Sequence, residues 1–196
     1  MSTSNIDSAL ERNRAFAASG GPEGAVVFPK LRLFVITCVD PRVDPAHFLG
    51  LALGDAIVLR NIGGRVTREV IDNVAFIGQL AESMLPDGPL FEVAVIHHTQ
   101  CATAALADDT FRGRYAARIG AEEATLRDQA VIDPTETVAR DAERLRAASA
   151  ISPRVAVSAH VYDVVSGLVQ TIVPAHDSGE RPAAAGLGGA GPTLAL

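Results

Sequence analysis

The chain has no tryptophan, and only seven phenylalanines and two tyrosines among 196 residues. Aromatics make up 5% and hydrophobic residues 48%. A core must therefore be assembled from Val, Leu, Ile and Ala. No Lys/Arg cluster runs beyond a few positions and the net charge is −6, which argues against nucleic acid as a main partner. No apolar stretch approaches the roughly 18 residues of a membrane span, so no membrane partner is expected. The opening, Met1 to Asp7, has neither the basic nor the apolar region of a secretory signal. The expected address is the cytoplasm. Cysteine is nearly absent: there are only Cys38 and Cys101. In a reducing compartment two such thiols point to metal binding or catalysis rather than to a disulfide.

The length suits one domain with a real core. Residues 4–19 read as a helix with a sparse apolar stripe, Ile6, Leu10 and Phe16, closed by Gly20-Gly21-Pro22. The stripe is narrow for a helix on its own core and suits one lying across a partner subunit. Leu31 to Thr37, Ala56 to Leu59 and Phe91 to Ile96 are short apolar runs that read as buried strands. Arg154 to Tyr162 reads as a fourth strand, and Leu168 to Val173 as a fifth after a turn at Ser166-Gly167. Asp44-Pro45 opens a short helix, and Thr67 caps one running to about Leu80. Cys101 to Leu106 looks helical. Asp133-Pro134-Thr135-Glu136 starts a helix running to about Ala150. The polar stretch from Asp108 to Asp133 gives no clear pattern, and there is no internal repeat.

Strands alternating with helices predict an α/β fold with a mostly parallel sheet. The chain divides into a helical arm, 1–25, a body, 26–174, and a Gly/Ala/Pro-rich tail, 175–196, expected to be flexible.

Two strings carry the chemistry. Cys38-Val39-Asp40-Pro41-Arg42 follows the first strand, and His98-Thr99-Gln100-Cys101 follows the third. In open α/β sheets ligands bind beyond the carboxyl ends of the strands. If these two strands are neighbours, both strings meet at that edge. Two thiolates and one imidazole offer three ligands to zinc, and a three-ligand zinc keeps an open fourth position. His98 and Cys101 are three apart, so one turn can aim both at one point. Two thiolates leave the ion near neutral, so its water acidifies less than in a three-histidine site, and a neutral to alkaline operating range is expected. Asp40 has two available uses. It can be a fourth ligand that closes the site, or it can pair with Arg42, whose rigid fork suits a carboxylate, and leave the fourth position to water.

These strings, with Arg60-Asn61-Ile62-Gly63-Gly64 between them, resemble the β-class carbonic anhydrases over roughly residues 30 to 175. The resemblance implies a four-stranded parallel sheet, an N-terminal helix reaching over the partner, and a homodimer that can pair again. It implies one zinc per chain on Cys38, His98 and Cys101, with Asp40 alternating between zinc and Arg42. Its implied activity is the reversible hydration of carbon dioxide to bicarbonate and a proton by a zinc-bound hydroxide. The chain departs from the family at Ala102, where glycine is usual. Close relatives in this family hydrolyse carbonyl sulfide or carbon disulfide, a second expectation for the same site. A third is a zinc-stabilised, bicarbonate-responsive module with little turnover.

Other residues have simpler readings. His97 is one step from His98, so on a strand it faces the other way and reads as a packed or supporting histidine. His47, His160 and His176 have no ligand partners at useful spacing, and Glu122, Glu123 and Asp128 suit a solvated helix face. Asn61-Ile62-Gly63-Gly64 fits neither phosphate-loop pattern. Gly63 and Gly64 instead allow the backbone to approach the metal site and its substrate pocket. A cysteine phosphatase would need arginine six residues past Cys38, where Asp44 stands.

Overall fold

The computed structural model describes residues 4–175. Five strands form one sheet: β1 (Leu33–Cys38), β2 (Ala56–Asn61), β3 (Glu92–His98), β4 (Ala156–Tyr162) and β5 (Val169–Val173), in the order β2-β1-β3-β4-β5. The first four are parallel, and β5 runs antiparallel on the edge beside β4. This agrees with the expected parallel four-strand sheet plus an edge strand. The β4–β5 turn is tight because Asp163 Oδ1 accepts the Val165 amide at 2.8 Å and Gly167 takes φ +73°.

Alternation along the strands builds the core. Phe34, Ile36, Val93, Val95, Val157, Ala159 and Val161 face one side. There they pack on α3 (Arg68–Met84) through Val70, Val74 and Ala81, and on α6 (Pro134–Ala147) through Val138, Ala142 and Leu145. Val35, Ala94 and Ile96 face the other side, where Phe48 of α2 (Pro45–Phe48) stacks on Tyr162 with ring centroids 4.3 Å apart. Asp44, Thr67 and Asp133 cap α2, α3 and α6 as expected.

Several boundaries differ from the sequence reading. β1 begins at Leu33 rather than Leu31, because Arg32 has φ +49° and breaks the extended run. α3 continues a turn past Leu80 to Met84, since nothing before Pro86 disfavours helix. α6 stops at Ala147 because Ala148 turns extended, with ψ 117°. The stretch that gave no pattern forms α4 (Asp109–Ile119) and α5 (Glu123–Asp128). Asp108 caps α4 by accepting the Phe111 amide at 2.7 Å, and Gly120 ends it in the left-handed region. The pair is anchored by the small cluster Leu106, Ala116, Leu126 and Ala130, too few apolar positions to show as a stripe.

The N-terminal helix, α1 (Asp7–Ala18), buries none of its residues, and Ile6, Leu10 and Phe16 are exposed. Among the described residues no helix is long and apolar enough to cross a membrane. His176 and nearly all of the expected tail lie outside the described residues.

Candidate metal centre

β1 and β3 are neighbours, so Cys38 and His98 stand at adjacent carboxyl ends. After His98 the chain turns sharply: Gln100 takes φ +57°, and Cys101 opens a 3₁₀ turn, Ala102–Ala107. Thr99 pins this turn. Its amide donates to Tyr162 O at 3.0 Å, and its hydroxyl oxygen accepts the Val164 amide at 3.1 Å. The two sulfurs and one imidazole nitrogen come within 4.8 Å of one another, all on buried residues. Among the described residues no other three His, Cys, Asp or Glu side chains cluster closely enough to share an ion.

The donor set fits zinc. His98 Nδ1 lies 2.9 Å from Thr99 O, a carbonyl that can only accept, so Nδ1 carries the proton. His98 Nε2 is then a lone pair, buried and without a partner. A buried polar atom left unpaired is costly, and a cation between it and the sulfurs would satisfy it. Tetrahedral zinc spaces such donors about 3.5–3.8 Å apart, inside the spread that these atoms occupy. The Asp40 amide donates to Cys38 Sγ at 3.4 Å, and Thr103 Oγ1 lies 3.0 Å from Cys101 Sγ. The two thiols are coupled. Cys38 is pushed up to about 12, first by its bond to Cys101 and then by burial. Cys101 is pulled down to about 6, chiefly by that same bond. Cys101 therefore ionises first.

Asp40 is paired with Arg42. Arg42 Nε donates to Oδ1 at 3.0 Å and Nη2 to Oδ2 at 2.7 Å, while the Arg42 amide donates to Oδ1 at 2.9 Å. Arg42 Nη2 also donates to Gln100 O at 3.1 Å, which ties the two motifs together. These bonds from Arg42 pull the Asp40 carboxyl down to about 2. Arg60 clamps the segment from β2, donating to Cys38 O at 2.9 Å and to Asp40 O at 2.7 Å.

Gly63 and Gly64 turn the chain through the left-handed region, with φ +78° and +67°. A methyl at Gly64 would lie 3.0 Å from the Cys38 amide nitrogen, and one at Gly63 would lie 3.3 Å from the Thr103 side chain. The Gly64 backbone thus lies close against the Cys38 backbone. Ala102 is accommodated: positive φ outside glycine occurs, among the described residues, only at Arg32 and Gln100, so the Cys101 turn does not require glycine at 102.

A cavity of about 370 Å³ opens beside Cys38, Asp40 and Cys101. Its wall is largely apolar, with Val39, Ile62, Leu106, Phe111 and Tyr115, and Gln129 supplies a polar group. The sequence reading missed Phe111, Tyr115 and Gln129 because they lie on the patternless 108–133 stretch.

It also missed a buried group behind the cluster. Asp141 and His97 are 0% exposed, Thr137 3% and Arg65 4%. Asp141 Oδ2 accepts from Arg65 Nε at 2.7 Å and from the Val66 amide at 3.0 Å. His97 lies against Asp141, Thr137 and Gly64 O, as a supporting histidine should. A signal for Asp141 was available: it shares the apolar stripe of α6 with Val138, Ala142 and Leu145, where a lone charge needs a partner. His47 is exposed, and His160 is bonded to Ser158 and Thr171. Glu122, Glu123 and Asp128 are exposed.

Comparison with known proteins agrees with this geometry. A family model described as carbonic anhydrase matches residues 33–175. The β-carbonic anhydrase 1 of Mycobacterium tuberculosis is 26% identical over 162 residues, covering 83% of this chain and 94% of that protein. The crystal structure of carbonic anhydrase from Streptococcus mutans superposes with a TM-score of 0.74 at 30% identity, covering 88% of this chain and 99% of that one. The carbon disulfide hydrolase of an Acidianus species is 32% identical over 104 residues, covering 52% of this chain and 45% of that protein. With the matched region spanning the whole sheet and the turns that carry Cys38, His98 and Cys101, the chain belongs to the β-class carbonic anhydrase family.

Proposed function

We propose that Cys38, His98 and Cys101 hold one zinc ion per chain, and that the protein reversibly hydrates carbon dioxide to bicarbonate and a proton. The observation that carries this reading is the Asp40–Arg42 fork two residues past Cys38: both Asp40 oxygens are engaged by Arg42, and Asp40 is not one of the three clustered donors. Zinc held by three protein ligands would supply a Lewis-acidic open position for water. Asp40, kept ionised by Arg42, accepts a hydrogen bond from that water and orients it. The apolar wall of Val39, Ile62, Leu106 and Phe111 takes up a small linear, apolar substrate and keeps bulk water away. Gly63 and Gly64 let the loop close on Cys38 without a side chain in between. The two thiolates lower the charge on the ion, so activity rises toward alkaline pH.

The arm 1–25, the body 26–174 and the tail 175–196 belong to this reading. The exposed Ile6, Leu10 and Phe16 of α1 support an arm laid across a partner in a homodimer, which can pair again. A cytoplasmic address completes it.

A second reading, hydrolysis of carbon disulfide or carbonyl sulfide at the same site, is favoured by the Acidianus relative and by the apolar character of the cavity wall. One experiment separates them. Stopped-flow hydration of carbon dioxide is followed across about pH 6.5 to 9 on protein of assayed zinc content, with sulfide release measured from the two sulfur gases. Hydration rising with pH on stoichiometric zinc supports the first reading. Sulfide release far above hydration selects the second. Full zinc with neither activity would sink both.

A further inference from the structure

The β1–β3 backbone pairing ends at Thr37 and Ile96, one residue short of Cys38 and two short of His98. Cys38 still pairs with Asn61 of β2 and His98 with Tyr162 of β4, but beyond that point no ladder bond joins β1 to β3 directly, so side chains bridging the gap help set how the two candidate ligands stand relative to one another. A buried polar group does so from the helix side of the sheet. Asp141 accepts from Arg65 Nε and Nη2 at 2.7 and 3.2 Å and from the Val66 amide at 3.0 Å. His97 Nε2 lies 3.3 Å from the same carboxylate and 3.2 Å from Gly64 O, and its Nδ1 lies 3.0 Å from Thr137 Oγ1. One carboxylate on α6 thus grips Arg65 and Val66 on one side and His97 on the other. Gly64, next to Arg65, rests on the Cys38 amide, and His97 precedes His98.

Burying an ion pair is a poor way to gain stability alone, because desolvation offsets most of the attraction. Its retention here points to a demand for exact placement. We propose that Asp141 is a positioning residue for the metal centre: through Arg65, Val66 and His97 it fixes the relative stance of Cys38 and His98. This rests on the zinc reading of the cluster. Partners of this kind around metal ligands tune affinity and geometry without touching the ion.

Asp141→Asn keeps the side-chain volume and removes the charge. Zinc affinity is measured by competition with a chromophoric chelator, and the ligand geometry by the visible and thiolate charge-transfer bands of the cobalt(II)-loaded protein. The folded variant is expected to bind zinc about 10- to 100-fold more weakly and to show cobalt bands altered in position or intensity. His97→Gln, which leaves the Arg65–Asp141 pair in place, is expected to alter the same bands and carries the test if Asp141→Asn does not fold. A folded variant with lower Tm but unchanged zinc affinity and cobalt bands overturns the proposal and leaves Asp141 a purely structural ion pair. Wild-type protein with no thiolate-to-cobalt band would instead sink the zinc reading, and this inference with it.

Discussion

The Asp40 carboxylate and the Arg42 guanidinium meet as two parallel forks, Nε to Oδ1 at 3.0 Å and Nη2 to Oδ2 at 2.7 Å. Both Asp40 oxygens are therefore engaged two residues from a candidate ligand, Cys38: Oδ1 accepts two bonds from Arg42 and Oδ2 one. The local spacing of Cys-x-Asp-x-Arg allows this pairing, and the Gln100 carbonyl, which also accepts from Arg42, holds it against the second motif.

Asp40→Ala is expected to retain stoichiometric zinc on three ligands and to lose turnover by on the order of 10²-fold. Arg42→Leu frees the carboxylate to close the site, so turnover falls while zinc is held as tightly or more so. Zinc content and stopped-flow rates on the same batches check both. Full activity in Asp40→Ala at every pH would end the gating account.

Gly64→Ala puts a methyl 3.0 Å from the Cys38 amide nitrogen at φ +67°. The backbone conformation alone costs about 1–2 kcal/mol, and the contact adds to it. A loss of roughly 4–8 °C in Tm, together with weaker zinc binding, is expected. Gly88→Ala is the control, since it has φ +76° and open space around the added carbon. Equal losses in Tm and zinc affinity in the two variants would show that the approach to Cys38 is unimportant.

Removal of metal should destabilise the fold. A ligand that binds only the native state at a thousand times its Kd stabilises by about 4 kcal/mol, and metal binding at such sites is linked to folding. Thermal unfolding with and without a chelator is therefore expected to separate clearly for wild type. Cys101→Ala should melt at one low temperature in both conditions. A wild-type Tm that ignores the chelator would argue that no ion is held there.

Asp141 makes stability depend on pH at the acid end. Burial alone would raise its carboxyl, but bonds from His97 and Arg65 outweigh that and bring it from 3.8 down to about 2. A depressed folded-state value stabilises above the unfolded one. The contribution, about 2 kcal/mol, is present above roughly pH 4 and fades as pH falls through about 2. Urea unfolding of wild type and Asp141→Asn should differ at pH 5 to 7 and converge toward pH 2. A constant difference down to pH 2 would mean that the carboxylate's charge contributes nothing.

Much of this protein was legible in the sequence because it is written locally. Apolar runs of strand length, Asp and Thr caps at 44, 67 and 133, and prolines at 45 and 134 act within a few residues. Each depends on propensity or chemistry that its neighbours in sequence supply. The helices of the 108–133 stretch were not legible, because their packing uses small residues and the buried Arg112, which donates to the Leu106 carbonyl at 2.9 Å. Nor did the sequence show that Asp141 would meet Arg65, 76 positions away, or that Phe111 would wall the cavity. Those relationships depend on which strands pair and how α6 lies on the sheet. A charge on an apolar stripe announces that it needs a partner, and only the tertiary structure decides which one.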